Sequence, residues 1–87
     1  MSELSKLPNI GNTLAEKLIA VGITSKTELF AAGSEQAIQR IAALKNSGAC
    51  INMLYALEGA IQGIRWHGLD KDRKRELSNF LKLLKIS

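Results

Sequence analysis

The sequence predicts an all-α fold, and three observations support this fold class. Pro8 is the only proline, and no segment alternates apolar and polar residues for long enough to indicate a strand. Apolar residues instead recur at helical spacing between capping residues and glycines. The 87 residues, 46% hydrophobic and 23% charged, have the composition of a small globular protein. We therefore expect one domain over residues 1–87, a compact bundle of five helices preceded by a short turn.

The first residues predict two turns in succession. Ser2 can cap a short turn over residues 3–6. The following segment, Leu7-Pro8-Asn9-Ile10-Gly11, has the composition of a tight turn, because proline fixes one backbone dihedral. Asn9 and Gly11 both tolerate left-handed backbone, which such a turn can require.

A first helix is predicted directly after this turn. Thr13 and Glu16 have the spacing of a capping box, although Asn12 could be the cap instead. Leucines at helical spacing follow, and Gly22 is a typical stop signal.

Two more helices repeat the same pattern. Ser25 with Glu28 is a second capping box, and the helix that it opens should end at Gly33. Ser34 can then cap a third helix that ends in a turn over residues 46–48.

The second half of the chain predicts two longer helices. Residues 49–63 form a long apolar helix, and the linker Arg65-Trp66-His67-Gly68 follows it. Asp70 then caps a basic helix. The apolar stripe of this last helix consists of Leu77, Phe80, Leu81 and Leu84.

Two glycines inside the long helix need a reason, since each costs about 1 kcal/mol relative to alanine. Small residues make one helix face nearly flat, namely Ala56, Gly59, Ala60 and Gly63. We interpret this face as a close contact with a neighbouring helix of the same chain; the alternative is a self-association surface. Arg65 and Trp66 are candidate interface residues beside it, although Trp66 could simply close the end of the core.

The net charge of +4 is unevenly distributed. Cations and anions balance over residues 1–44, so the whole excess lies from Lys45 onward. The densest cluster of cations is the run Lys71, Arg73, Lys74 and Arg75. Such a bias suits an acidic partner, either nucleic acid or an acidic protein, but it also suits an ordinary solvated surface.

The inventory of reactive side chains argues against an enzyme. The chain has one His, one Cys, one Tyr and one Trp, too few for a Cys/His metal cage. We therefore expect no catalytic residues, no metal and no cofactor. The N-terminus has no apolar signal segment, and Cys50 lies in an apolar context that fits a reducing compartment. We expect a cytoplasmic protein that does not enter a membrane.

Residues 7–18 resemble a helix-hairpin-helix motif. Gly11 stands at the second glycine of the hairpin and Ile10 at its buried hydrophobic position, while Asn9 replaces the first glycine. The resemblance implies that backbone N–H groups around Gly11, Asn12 and Thr13 can hold a DNA phosphate. Neither Asn12 nor Thr13 is charged, so the electrostatic attraction would come from the second half of the chain.

Longer stretches resemble the C-terminal domain of TfoX, the bacterial competence regulator. They are the phrase Val21-Gly22-Ile23-Thr24-Ser25 and the run over residues 52–66, which includes Leu-Tyr-Ala-Leu-Glu-Gly-Ala. The segment over residues 69–77 completes the similarity. The resemblance implies a compact, SAM-like five-helix domain that contacts DNA or a transcription partner. Because it covers nearly the whole chain, we expect a stand-alone copy of that domain.

Two functions remain open at this point. The first is a transcription-associated module that binds DNA weakly and without sequence preference, through the hairpin and the basic run. The second is a protein-interaction module for an acidic partner or a second copy of the chain, so that the protein is a monomer or a weak homodimer.

Overall fold

Helices account for all the regular structure in the computed structural model, which describes residues 3–45 and 47–86. Among these residues there are four α-helices, two short 3-10 helices and no strand. The α-helices are α1 (Asn12–Ala20), α2 (Lys26–Ala42), α3 (Ile51–Gln62) and α4 (Lys71–Ile86). The 3-10 helices are Glu3–Lys6 and Trp66–Gly68. The predicted all-α class is confirmed.

The predicted count of five helices is not confirmed, since residues 26–42 form one element, α2. The break expected at Gly33 is nevertheless present in the backbone, because Gly33 is non-helical (φ 81°, ψ 163°) and two helical segments of α2 meet there across a kink. Ser34 does not cap the second segment with its side chain as predicted. It is buried, and its hydroxyl donates a hydrogen bond to Glu58 Oε1 of α3 (2.6 Å).

The helix starts agree only partly with the sequence. Ser25 caps α2, accepting from the Glu28 backbone N–H (3.1 Å) as expected of a capping box. The prediction for α1 is wrong: its N-cap is Gly11, and no side chain of the described residues caps it. Ile10 is buried at the end of the turn. The helix begins directly after it, with Gly11 as N-cap and Asn12 as the first helical residue.

The core is built around α3, which packs against both α2 and α4. The fully buried large side chains of the core come from every α-helix and from the first 3-10 helix. They include Leu4, Leu18, Leu29, Ile38, Ile41, Leu54, Leu57 and Leu77. On α4, Leu77 and Leu81 are buried and Phe80 and Leu84 are partly buried, which confirms the predicted stripe. Asp70 accepts a hydrogen bond from the Asp72 backbone N–H (3.0 Å), as a cap should.

Helix length and polarity decide whether a segment can cross a membrane. Among the described residues, no helix combines the length and the apolar character needed to cross a bilayer.

Candidate nucleic-acid interface

Asn9 holds the tight turn against the segment that follows α3. Its φ of 68° makes it the one described non-glycine residue with left-handed backbone, whereas Gly11 is extended (φ −91°, ψ −177°). The Asn9 side chain donates to the Ile64 carbonyl (2.9 Å) and accepts from the Trp66 backbone N–H (3.2 Å). The turn and the segment over residues 64–66 are therefore bonded to each other through one amide side chain.

Gly59 allows this close approach. A Cβ at this position would lie 2.5 Å from Asn9 Nδ2 and 2.8 Å from the Ile64 carbonyl oxygen. The small face of α3 is thus covered at Gly59 by the turn and by the chain just beyond α3, and not by a neighbouring helix as predicted. Gly63 has a different role, because it ends α3 in the left-handed conformation (φ 76°).

The N-terminus of α1 is open to solvent. Gly11, Asn12 and Thr13 are all exposed, and a Cβ on Gly11 would meet nothing within 4 Å. The first backbone N–H groups of an α-helix have no partner inside the helix, and here no described side chain caps them. These N–H donors, together with the positive end of the helix dipole, can bind an anion.

An open concavity of about 630 Å³ adjoins this helix start. Its lining consists of Ser5, Lys6, Leu7, Pro8, Asn9, Ile10, Gly11 and Arg65. Lys6 and Arg65 are exposed, and none of the described residues that line the concavity is acidic. Sequence reasoning missed Lys6 as a site residue, although its position just before the turn was a usable signal. Arg65 was predicted only as an interface residue, because nothing local indicates that Asn9 brings it beside the turn.

Arg73, the second cation of the basic run, is engaged by three carboxylates. Its guanidinium lies 3.1 Å from Glu58, 3.3 Å from Glu35 and 3.4 Å from Glu76. Glu58 is only 8% exposed and also accepts from Gln62 Nε2 (2.6 Å). The contacts fix Arg73 as a counter-ion within the helix packing.

Opposing effects act on the carboxyl group of Glu58. Burial alone would raise its pKa, but hydrogen bonds from Arg73, Ser34 and Gln62 outweigh burial and hold the pKa below its ordinary value of 4.5. The same pairing with Glu58 raises the pKa of Arg73 above its ordinary value. Glu58 is therefore ionised in the folded protein at neutral pH.

The other three cations of the run have separate environments. Lys71 is exposed at the start of α4, and Arg75 is exposed with its guanidinium 3.6 Å from Asp72. Lys74 Nζ lies 5.5 Å from the ring centroid of Trp66 and 5.8 Å from that of Tyr55. Arg73 is therefore withdrawn from the surface of the run, while Lys71, Lys74 and Arg75 stand at neighbouring helical positions i, i+3 and i+4.

Comparison with known proteins settles the family. The family model of the TfoX C-terminal domain matches residues 1–81. The chain belongs to this family. No curated protein matches it.

Two solved structures with the same fold share half of their residues with this TfoX C-terminal domain. One is the crystal structure of an uncharacterized protein from Listeria monocytogenes in a triclinic form. It has a TM-score of 0.90 and 51% identity, over 94% of this chain and 92% of that chain. The other, a tetragonal form of a Listeria monocytogenes protein of unknown function, has a TM-score of 0.87 and 51% identity, over 92% and 98%.

The structure brings some of the predicted site residues of this TfoX C-terminal domain together in two groups. Gly11 and Arg65 line one concavity, whereas Asn12 and Thr13 line an adjoining one together with Gly11 and Lys17. Trp66 and Lys74 meet in a ring contact. Arg73 belongs to neither group, since carboxylates of α2, α3 and α4 surround it.

Proposed function

We propose that this TfoX C-terminal domain is a non-enzymatic DNA-binding module that holds a backbone phosphate in the concavity beside α1. One observation carries the proposal. Gly11, the residue before the uncapped start of α1, lines the same concavity as Lys6 and Arg65, and none of the described lining residues carries a carboxylate. Backbone donors and cations with no competing anion are what a phosphate requires.

The order of elements supports a helix-hairpin-helix interpretation. A short 3-10 helix, a turn with left-handed backbone at Asn9 and then α1 follow one another over residues 3–20. Gly11 contributes no side chain, so a phosphate can approach the N–H groups of Asn12 and Thr13 closely.

The number of available cations sets the strength of binding. Lys6 and Arg65 line the concavity, and Lys74 of α4 contacts the ring of Trp66, the residue after Arg65. These cations contact phosphates and not the edges of the bases, so binding should be weak and independent of sequence. About three phosphate contacts give a log–log salt slope of about −3.

Fluorescence anisotropy tests the proposal with a labelled mixed-sequence duplex at two salt concentrations. We expect the double variant Lys6→Ala/Arg65→Ala to weaken binding and to flatten the salt slope by roughly one unit per lost contact. Lys82→Ala/Lys85→Ala removes the same charge from exposed positions of α4 and is the matched control. If both double variants weaken binding equally, net charge and not the concavity attracts DNA.

An exposed leucine favours a second candidate function. Leu83 is 69% exposed on α4, close to the exposed Lys82 and Lys85. An acidic protein with an apolar anchor would fit this surface. If the unaltered protein binds no DNA at low salt, binding of an acidic protein is the better explanation, and sizing of the protein alone tests for a homodimer.

A cytoplasmic location stays a prediction.

A further inference from the structure

We propose that the ring stack formed by Tyr55, Trp66 and His67 binds an unpaired nucleobase of the DNA strand. This inference rests on the proposed phosphate site and adds a substrate preference to it: DNA with a single-stranded segment. The three rings, called here the aromatic stack, are connected to the concavity through the chain, since Trp66 directly follows Arg65.

Trp66 lies at the centre of the aromatic stack. Its ring centroid is 6.1 Å from that of Tyr55 at an interplanar angle of 20°, and 4.0 Å from that of His67 at 27°. Tyr55 is half-buried against the core, whereas His67 is exposed and stacks directly on Trp66. A planar group can therefore add to the stack on the solvent side of His67.

The surroundings of the aromatic stack are cationic. Lys74 Nζ lies 5.5 Å from the Trp66 ring centroid, within the range of a cation–π contact. Arg65, the residue before Trp66, lines the phosphate concavity. Stacking rings flanked by cations are the combination with which proteins bind single-stranded nucleic acid.

Position along the chain links the two parts of the surface. Successive Cα atoms are about 3.8 Å apart, so Arg65 and Trp66 can contact neighbouring groups of one nucleotide strand. The hydrogen bond from the Trp66 N–H to Asn9 Oδ1 fixes the aromatic stack relative to the turn. A strand with its phosphate at the turn would thus bring its next base to the rings.

Duplex DNA cannot use the aromatic stack in this way. Its bases are paired and stacked on each other, so a base must leave the helix to meet a protein ring, which costs free energy. Binding of a backbone phosphate in the concavity requires no base to leave the helix. The proposal therefore separates two affinities: one for the backbone of any DNA, and one for an accessible base.

The test compares three ligands by fluorescence anisotropy: a short oligothymidylate, an abasic strand of equal length and a duplex. We expect the oligothymidylate to bind roughly tenfold tighter than the abasic strand, since stacking on an aromatic side chain contributes about that factor.

Two substitutions of the exposed His67 provide the controls. His67→Ala removes the ring that carries the base and should reduce the preference for thymidylate while leaving the affinity for the abasic strand unchanged, whereas His67→Phe should retain the preference. Circular dichroism checks that both variants fold. Equal affinity of the unaltered protein for the oligothymidylate and the abasic strand overturns base stacking but leaves the phosphate site standing. Absence of binding to all three ligands overturns both proposals.

Discussion

The Asn9 side chain accepts a hydrogen bond from the Trp66 backbone N–H at 3.2 Å, across 57 positions of sequence. The same side chain donates to the Ile64 carbonyl at 2.9 Å. These bonds tie the turn before α1 to the segment after α3. They place Arg65 in the concavity at the start of α1, and the proposed phosphate site depends on that placement.

Replacement of Asn9 should therefore cost stability in two separable ways. Asn9→Gly removes both hydrogen bonds and should lower the free energy of unfolding by about 1–3 kcal/mol. Asn9→Ala should lower it by about 1 kcal/mol more, because alanine is strained at a φ of 68°. Urea denaturation measures both values. Full stability of Asn9→Gly would mean that the hydrogen bonds contribute nothing.

Gly59→Ala should destabilise the domain although alanine is the better helix former. The added Cβ would lie 2.5 Å from Asn9 Nδ2 and 2.8 Å from the Ile64 carbonyl oxygen, so the turn or the chain must shift. We expect a net loss of roughly 1–3 kcal/mol. Gly68→Ala is the control, since its Cβ would meet only Ile64 Cδ1 at an ordinary 3.7 Å. Thermal melting that ranks the two variants equally would contradict the packing at Gly59.

Low pH should lower the free energy of unfolding, because Glu58 then becomes protonated. The pKa of Glu58 in the folded protein lies below its ordinary value of 4.5. Its contribution to stability is therefore complete above that pH and is lost as the pH falls through the lower, folded pKa. Glu58→Gln should cost about 1–2 kcal/mol at neutral pH and should reduce the decline in acid. A pH series of urea midpoints checks this, with the exposed Glu76→Gln as the comparison.

Arg73 should affect stability and not DNA binding. Arg73→Ala leaves the buried Glu58 without its counter-ion, and we expect a loss of roughly 1–3 kcal/mol. Arg75→Ala, at an exposed pair, should stay within about 0.5 kcal/mol. The salt slope of DNA binding should be the same for Arg73→Ala as for the unaltered protein. A flatter slope would show that Arg73 leaves its carboxylates to contact phosphate.

Local patterns in the sequence predicted what local interactions decide. Ser25 caps α2, Asp70 caps α4, and the left-handed turn residue is Asn9, as its type suggested. The start of α1 was mispredicted because burial of Ile10, a tertiary effect, decides where that helix begins. The break expected at Gly33 is present as a kink inside α2, where the non-helical glycine joins two helical segments.

Contacts between distant residues account for what sequence reasoning missed at the site. Arg73 was expected to be a phosphate ligand, yet it pairs with Glu35 at a separation of 38 positions. The approach of Arg65 to the turn depends on Asn9, and the approach of Asn9 depends on the missing side chain of Gly59. Each residue type was visible in the sequence, but no helical period connects residues so far apart.

Amide chemical shifts of the labelled protein, followed by NMR during titration with a mixed-sequence duplex at low salt, test the phosphate site most directly. The largest shifts are expected at Gly11, Asn12 and Thr13, with smaller ones at Lys6 and Arg65. Shifts confined to α4 around Leu83, or no shifts at all, would contradict a phosphate site at the start of α1.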